Sequence, residues 1–130
     1  MTDRELLKLA AKATGITVHG LADKYVAQHT LGKDALCVAN DRGGDSLWNP
    51  LTDDGDALRL AVKLRLQIQI NDLSIVIYRP QRETGVTPPE CYEYPDSIQG
   101  DDYEIQHVNH DKATRRAIVR AAAEIGKERP

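Results

Sequence analysis

The sequence predicts an α+β domain in which helices cover both faces of a small sheet, and three observations carry that expectation. Three segments show helical spacing of apolar residues, two of them behind recognisable start signals. Two neighbouring segments flank Asn71-Asp72 as the strands of a hairpin do. The second of these, Leu73-Ser74-Ile75-Val76-Ile77-Tyr78, is apolar on nearly both faces, and such a strand is normally covered on both sides. With 130 residues, 41% of them hydrophobic and 28% charged, the chain suits one core and is too short for a two-domain enzyme. Residues 1–130 therefore read as a single domain. A chain of this length buries roughly 65 to 70% of its unfolded surface, enough to fold without disulfides or a structural metal.

The first helix opens on a capping box, Thr2 with Glu5 three residues on, and its apolar surface is Leu6, Leu7, Leu9, Ala10, Ala11 and Ala13. Gly15 stands where a left-handed C-cap is favoured. Residues 16–19 and 35–39 read as short strands, and residues 21–32 fit neither pattern. Asp41-Arg42-Gly43-Gly44-Asp45-Ser46 is a turn. Trp48-Asn49-Pro50-Leu51 leads into a helix start marked by Asp53, Asp54 and Asp56, with Ala57, Leu58, Ala61, Val62 and Leu64 near helical spacing behind it. Leu66, Ile68 and Ile70 alternate with Gln67 and Gln69 as the first strand of the hairpin. Residues 79–102, with prolines at 80, 88, 89 and 95, read as a loop excursion; residues 103–108 read as a returning strand. The last helix runs from about His110 to Ile125, with Thr114, Ala117, Ile118, Ala121, Ala122 and Ile125 as a packing stripe. Lys112, Arg115, Arg116 and Arg120 form its basic face.

Seventeen Lys and Arg against twenty Asp and Glu give a net charge of -3, a field that does not advertise nucleic-acid or membrane binding. The charged first residues are unlike a signal peptide, and no apolar run is long enough to cross a membrane, so a cytoplasmic location is expected. Cys37 and Cys91 lie in segments of different character, as free thiols do.

Several residues invite a chemical reading. Asp53, Asp54 and Asp56 around Gly55 resemble half of a calcium loop, but the spacing fails and helix capping explains them. His107 and His110, with Cys91 or Asp111, are the best candidates for a metal, yet they offer a single short-spaced pair; no metal or other cofactor is expected. Neither cysteine sits in a nucleophile motif, and no phosphate-binding glycine string is present. Trp48 reads as a cover for the core at the mouth of the second helix, or as a ligand platform or partner anchor. The basic face of the last helix reads as a solvated, salt-bridged surface rather than a nucleic-acid contact. The most distinctive feature lies between Glu83 and Glu104, where seven carboxylates occur without a Lys or Arg and Tyr92, Tyr94 and Tyr103 are interleaved. Carboxylates so placed repel one another and add little to folding, so they suit a cationic partner, with the tyrosines as contact area. The expected partner-binding residues are Glu90, Tyr92, Glu93, Tyr94, Asp96, Asp101, Asp102 and Tyr103.

Three blocks give the chain a family resemblance. Asp3-Arg4-Glu5-Leu6-Leu7 with Ala10-Ala11-Lys12-Ala13, the Trp48-Asn49-Pro50-Leu51 to Val62 block, and residues 113–123 together resemble the phage ABA sandwich domain family, small proteins of tailed phages and prophages. The resemblance implies a three-layer α-β-α sandwich with a mixed or antiparallel sheet, and it implies no reaction and no catalytic residues. The expected function is that of a non-enzymatic phage accessory protein that binds a host protein with a basic surface. An anti-CRISPR-like inhibitor of a host defence system is its concrete form, acting in the cytoplasm of the host bacterium. The alternative is a small-molecule or nucleotide-sequestering domain with Trp48 near the pocket. An Ala-rich helix face and an open sheet edge allow self-association, with a homodimer as the favoured form.

Overall fold

The computed structural model describes residues 2–21, 34–39, 42–72, 74–78, 89–93 and 110–129. In chain order they form α1 (Asp3–Thr14), β1 (Val18–Leu21), β2 (Leu36–Ala39), β3 (Asp45–Trp48), α2 (Asp54–Leu64), β4 (Gln67–Ile70), β5 (Ile75–Tyr78), β6 (Pro89–Glu93) and α3 (His110–Glu128). The α+β class and the three helices are those read from the sequence. Among the described residues all strand pairs are antiparallel, in two sheets of order β1-β2-β3 and β4-β5-β6.

Local chemistry sets the ends of α1. The Thr2 hydroxyl accepts the Glu5 N–H at 3.2 Å and the Glu5 carboxylate accepts the Thr2 N–H at 2.8 Å, so the capping box closes in both directions. Gly15 ends the helix at φ 79°, its N–H donating to Ala11 and Lys12 carbonyls. Leu6, Leu7, Ala10, Ala11 and Ala13 are buried, and α1 packs most extensively on α3, which presents Ala117, Ala121, Ala122 and Ala123. Small side chains on both helices let the backbones approach closely. The approach is close at Gly126, where an added Cβ would lie 2.8 Å from the Leu9 carbonyl carbon and closer still to its oxygen.

The same helix α3 also packs on α2, β5 and β6, so α3 is the element around which the fold is assembled. One core cluster joins Leu6 and Leu7 of α1, Leu36 and Val38 of β2, Trp48, Leu60 of α2, Ile75 and Ile77 of β5, and Ile118 and Val119 of α3. Burying each large aliphatic side chain contributes about 1.5 to 3 kcal/mol. Val76 points to the opposite face from Ile75 and Ile77 and is only 6% exposed, which matches the two-sided covering expected of this strand.

The structure departs from the sequence reading at four places. Residues 45–48 form β3, although the turn and the Trp48 block masked their strand character. Residues 89–93 pair with β5 as β6, so the expected excursion over residues 79–102 contains a strand despite its prolines. Pro89 opens that strand, a position where a missing N–H is tolerated. The hairpin turn spans Asn71 to Ser74, the Asn71 N–H donating to the Ser74 carbonyl at 2.8 Å, and Ile70 pairs with Ile75, whereas the expected two-residue turn at Asn71-Asp72 would pair it with Leu73. On α2 the core stripe is Ala57, Leu60 and Ala61, whereas Leu58 and Val62 point outward. The expected strand over residues 103–108 and all of residues 22–33 lie outside the described residues. Among the described residues, no helix is long and apolar enough to cross a membrane.

Candidate functional site

The Trp48-Asn49-Pro50 string is the corner at which β3 becomes α2. The Asn49 side-chain carbonyl accepts the Leu51 N–H at 3.1 Å, and its backbone carbonyl accepts the N–H groups of Thr52 and Asp53 at 3.1 and 2.9 Å. Asp53 then caps α2, its carboxylate accepting the Asp56 N–H at 2.8 Å. Asp56 is only 7% exposed; it accepts the buried Asn49 N–H at 3.0 Å and the Arg59 guanidinium at 2.7 Å. The third acid, Asp54, receives Arg115 of α3 at 2.6 Å, while the Arg115 Nε donates to the Leu51 carbonyl at 2.9 Å. All three aspartates are thus occupied as caps and helix-to-helix ties, in agreement with the capping reading.

Trp48 itself is 6% exposed and belongs to the core. Part of its surface borders a cavity of about 280 Å³, lined also by Thr14, Ile16, Val38, Arg59 and Lys63. Both readings of Trp48 therefore have a counterpart in the structure: it covers the core, and it stands at the wall of a pocket. The two cations were not singled out from sequence. Arg59 and Lys63 are one helical turn apart on α2, a spacing visible in the sequence but not interpretable until β2 and α1 are placed opposite them.

The basic face of α3 is tied to neighbours. Besides the Arg115 contacts, Arg116 reaches Asp3 of α1 at 3.2 Å, so these cations bind the helices to one another. His110 opens α3 with its Nε2 at 3.1 Å from the Asn71 carbonyl and 3.0 Å from that of Asp72. Two carbonyl acceptors require Nε2 to carry its proton, which pins the hairpin turn to the start of α3 and commits that nitrogen. His107 lies outside the described residues, and among the described residues no group of three or more His, Cys, Asp or Glu is placed to hold a metal.

Cys37 is a free cysteine on β2, half-buried and next to Asp45 of β3. Burial pushes its thiol up from the ordinary range, and the charge and hydrogen bond of Asp45 push the same way. His19 of β1 meets the other side of the cluster, its Nδ1 3.0 Å from an Asp45 oxygen. The order is Cys-Asp-His, with the carboxylate between the thiol and the imidazole. A thiolate nucleophile needs the base beside it, so this arrangement favours the thiol.

Of the expected partner-binding residues, Glu90, Tyr92 and Glu93 lie on β6, where Tyr92 is in register with Val76 and Glu93 with Ile75. Tyr94, Asp96, Asp101, Asp102 and Tyr103 lie outside the described residues. β6 pairs with β5 on one side and is the terminal strand of its sheet among the described residues. The Pro-rich composition of the segment concealed this strand, and the signal that could have found it is Cys91-Tyr92, two strand-favouring residues amid turn formers. Comparison with protein-family models, with curated proteins and with solved structures finds no match for the chain.

Proposed function

We propose that the chain is a non-catalytic, cytoplasmic binding protein of the phage ABA sandwich type, whose partner is a host protein with a basic surface. A nucleic-acid-guided defence complex is the partner class that suits an acidic strand and its flanks, which gives the protein an anti-CRISPR-like role. The observation that carries the reading is the run from Glu83 to Glu104, seven carboxylates and three tyrosines without a cation. That Glu90, Tyr92 and Glu93 fall on β6, the terminal strand of its sheet among the described residues, supports it. The test is capture of the host partner by the tagged protein, identification by mass spectrometry and reconstitution with the purified partner. Neutralising Glu90, Glu93, Asp101 and Asp102 to amides should abolish the complex, and raising salt should weaken the wild-type complex. A partner held equally well by the neutralised variant refutes the acidic surface, and the absence of any partner refutes the reading.

The Trp48 cavity favours a second reading, a site for a small anionic molecule such as a nucleotide. An aromatic wall with Lys63 and Arg59 at its rim suits a planar, charged ligand, although Asp56 already satisfies part of the Arg59 charge. Titration of Trp48 fluorescence with a nucleotide panel decides it: saturable quenching lost in Lys63→Ala supports the site, and a flat response dismisses it.

A further inference from the structure

Trp48 is only 6% exposed, yet its indole N–H has no acceptor among the described residues. A buried Trp normally finds one, and a donor left alone costs free energy, so the cavity that this side chain lines is short of an acceptor. The other polar side chains on the lining point to the same need. Lys63 is exposed and has no ion pair among the described residues, and Arg59 stands one turn before it on α2. The Thr14 hydroxyl is already committed: it donates to the Ala11 carbonyl at 2.9 Å and accepts the Ile16 N–H at 3.4 Å. Among the described residues that line the cavity there is no carboxylate. An occupant must therefore bring acceptors.

Charge and space narrow the class. Arg59 gives a guanidinium nitrogen to Asp56 at 2.7 Å and stands 3.9 Å from Asp53, so its charge is already balanced and Lys63 supplies the uncompensated one. A monoanion matches that balance, whereas a polyphosphate would bring charges that find no partner and lose their water. The cavity holds about 280 Å³, below the roughly 300 to 1,000 Å³ of sites that enclose drug-sized ligands. Ile16, Val38 and Leu60 make much of its remaining wall apolar, and with the Thr14 hydroxyl spent nothing there reads the hydroxyl groups of a sugar. The fitting occupant is small, carries one negative charge with acceptor oxygens, and is otherwise apolar.

Resting on the reading of the Trp48 cavity as an anion site, we propose that it holds a small monocarboxylate with an apolar body. The carboxylate accepts from the Trp48 indole N–H and from Lys63, and the body lies against Ile16, Val38 and Leu60. Nuclear magnetic resonance titration of the isotope-labelled full chain with butyrate, hexanoate and octanoate tests it, because Trp48 is the only tryptophan and its indole cross-peak reports on the site directly. Hexanoate should move that peak downfield and saturably, as a new hydrogen bond does. Affinity should rise about three- to fourfold for each methylene added until the cavity is full. Lys63→Ala, at an exposed position and so without loss of fold, should weaken hexanoate about tenfold or more, and hexylamine should not bind. Adenosine monophosphate that moves the indole peak when none of the three carboxylates does overturns the monocarboxylate and leaves the anion site standing. Silence from all four overturns both. Hexanoate held equally well by Lys63→Ala, or matched by hexylamine, overturns the charged anchor and with it the proposal.

Discussion

Replacing Gly126 by alanine tests the central packing contact of the fold. The new methyl carbon would lie 2.8 Å from the Leu9 carbonyl carbon and 3.3 Å from its Cα, with the carbonyl oxygen nearer still. These are backbone atoms, so no rotamer change relieves them, and α1 and α3 must separate by roughly 1 Å along an interface of small side chains. Overpacking of this type costs about 1 to 3 kcal/mol, and two opposed backbones place it near the upper end. Alanine recovers about 1 kcal/mol through its better helix propensity. The net loss is about 2 kcal/mol, which for a domain of this size lowers the melting temperature by about 8 °C. Thermal denaturation followed by helical circular dichroism and by Trp48 fluorescence measures it. Gly55→Ala is the control, because its Cβ would meet only side-chain atoms, the guanidinium of Arg59 and the carboxylate of Asp53, at 3.2 to 3.3 Å. A Gly126→Ala protein as stable as the wild type, or more stable, refutes the close approach of α1 and α3.

Three further outcomes are expected. Asp56→Ala strands the buried Asn49 N–H and releases Arg59, and should cost about 2 to 3 kcal/mol in urea denaturation, whereas Asp56→Asn keeps an acceptor and should cost less. Glu5 is held below the ordinary carboxylate range, chiefly by the Thr2 backbone N–H. Its stabilising contribution is therefore present above the unfolded value of 4.5 and is lost as pH falls through the lower folded value, so Glu5→Gln should flatten the acid limb of the stability profile. In a Cys91→Ser background, iodoacetamide should modify Cys37 more slowly than an unhindered thiol at pH 8, and Asp45→Asn should speed the reaction, as followed by mass spectrometry.

Elements whose signals are local were legible from sequence. The capping box of α1, the Gly15 stop, the aspartates opening α2 and the two-sided burial of β5 all act within a few residues or through a repeating pattern. The strands β3 and β6 were not legible, because what makes each a strand is the partner it meets, and Pro89 and the nearby glycines argue locally for a turn. The candidate site divides in the same way. The acidic run with its tyrosines is a matter of composition, while the Trp48 cavity needs three separate elements brought together.

By itself the sequence determined the α+β class, the three helices and the capping role of Asp53, all of which follow from charge and periodicity along the chain. Only the tertiary structure decided that Leu58 and Val62 face outward while Leu60 faces in, that Arg115 and Arg116 of α3 tie to Asp54 and Asp3, and that Gly126 lies against the Leu9 backbone. It also set Asp45 between Cys37 and His19. A helix with apolar residues on two sides can bury either stripe. Which one it buries is fixed by where α3 and the strands stand, and that is a property of contacts distant in the chain.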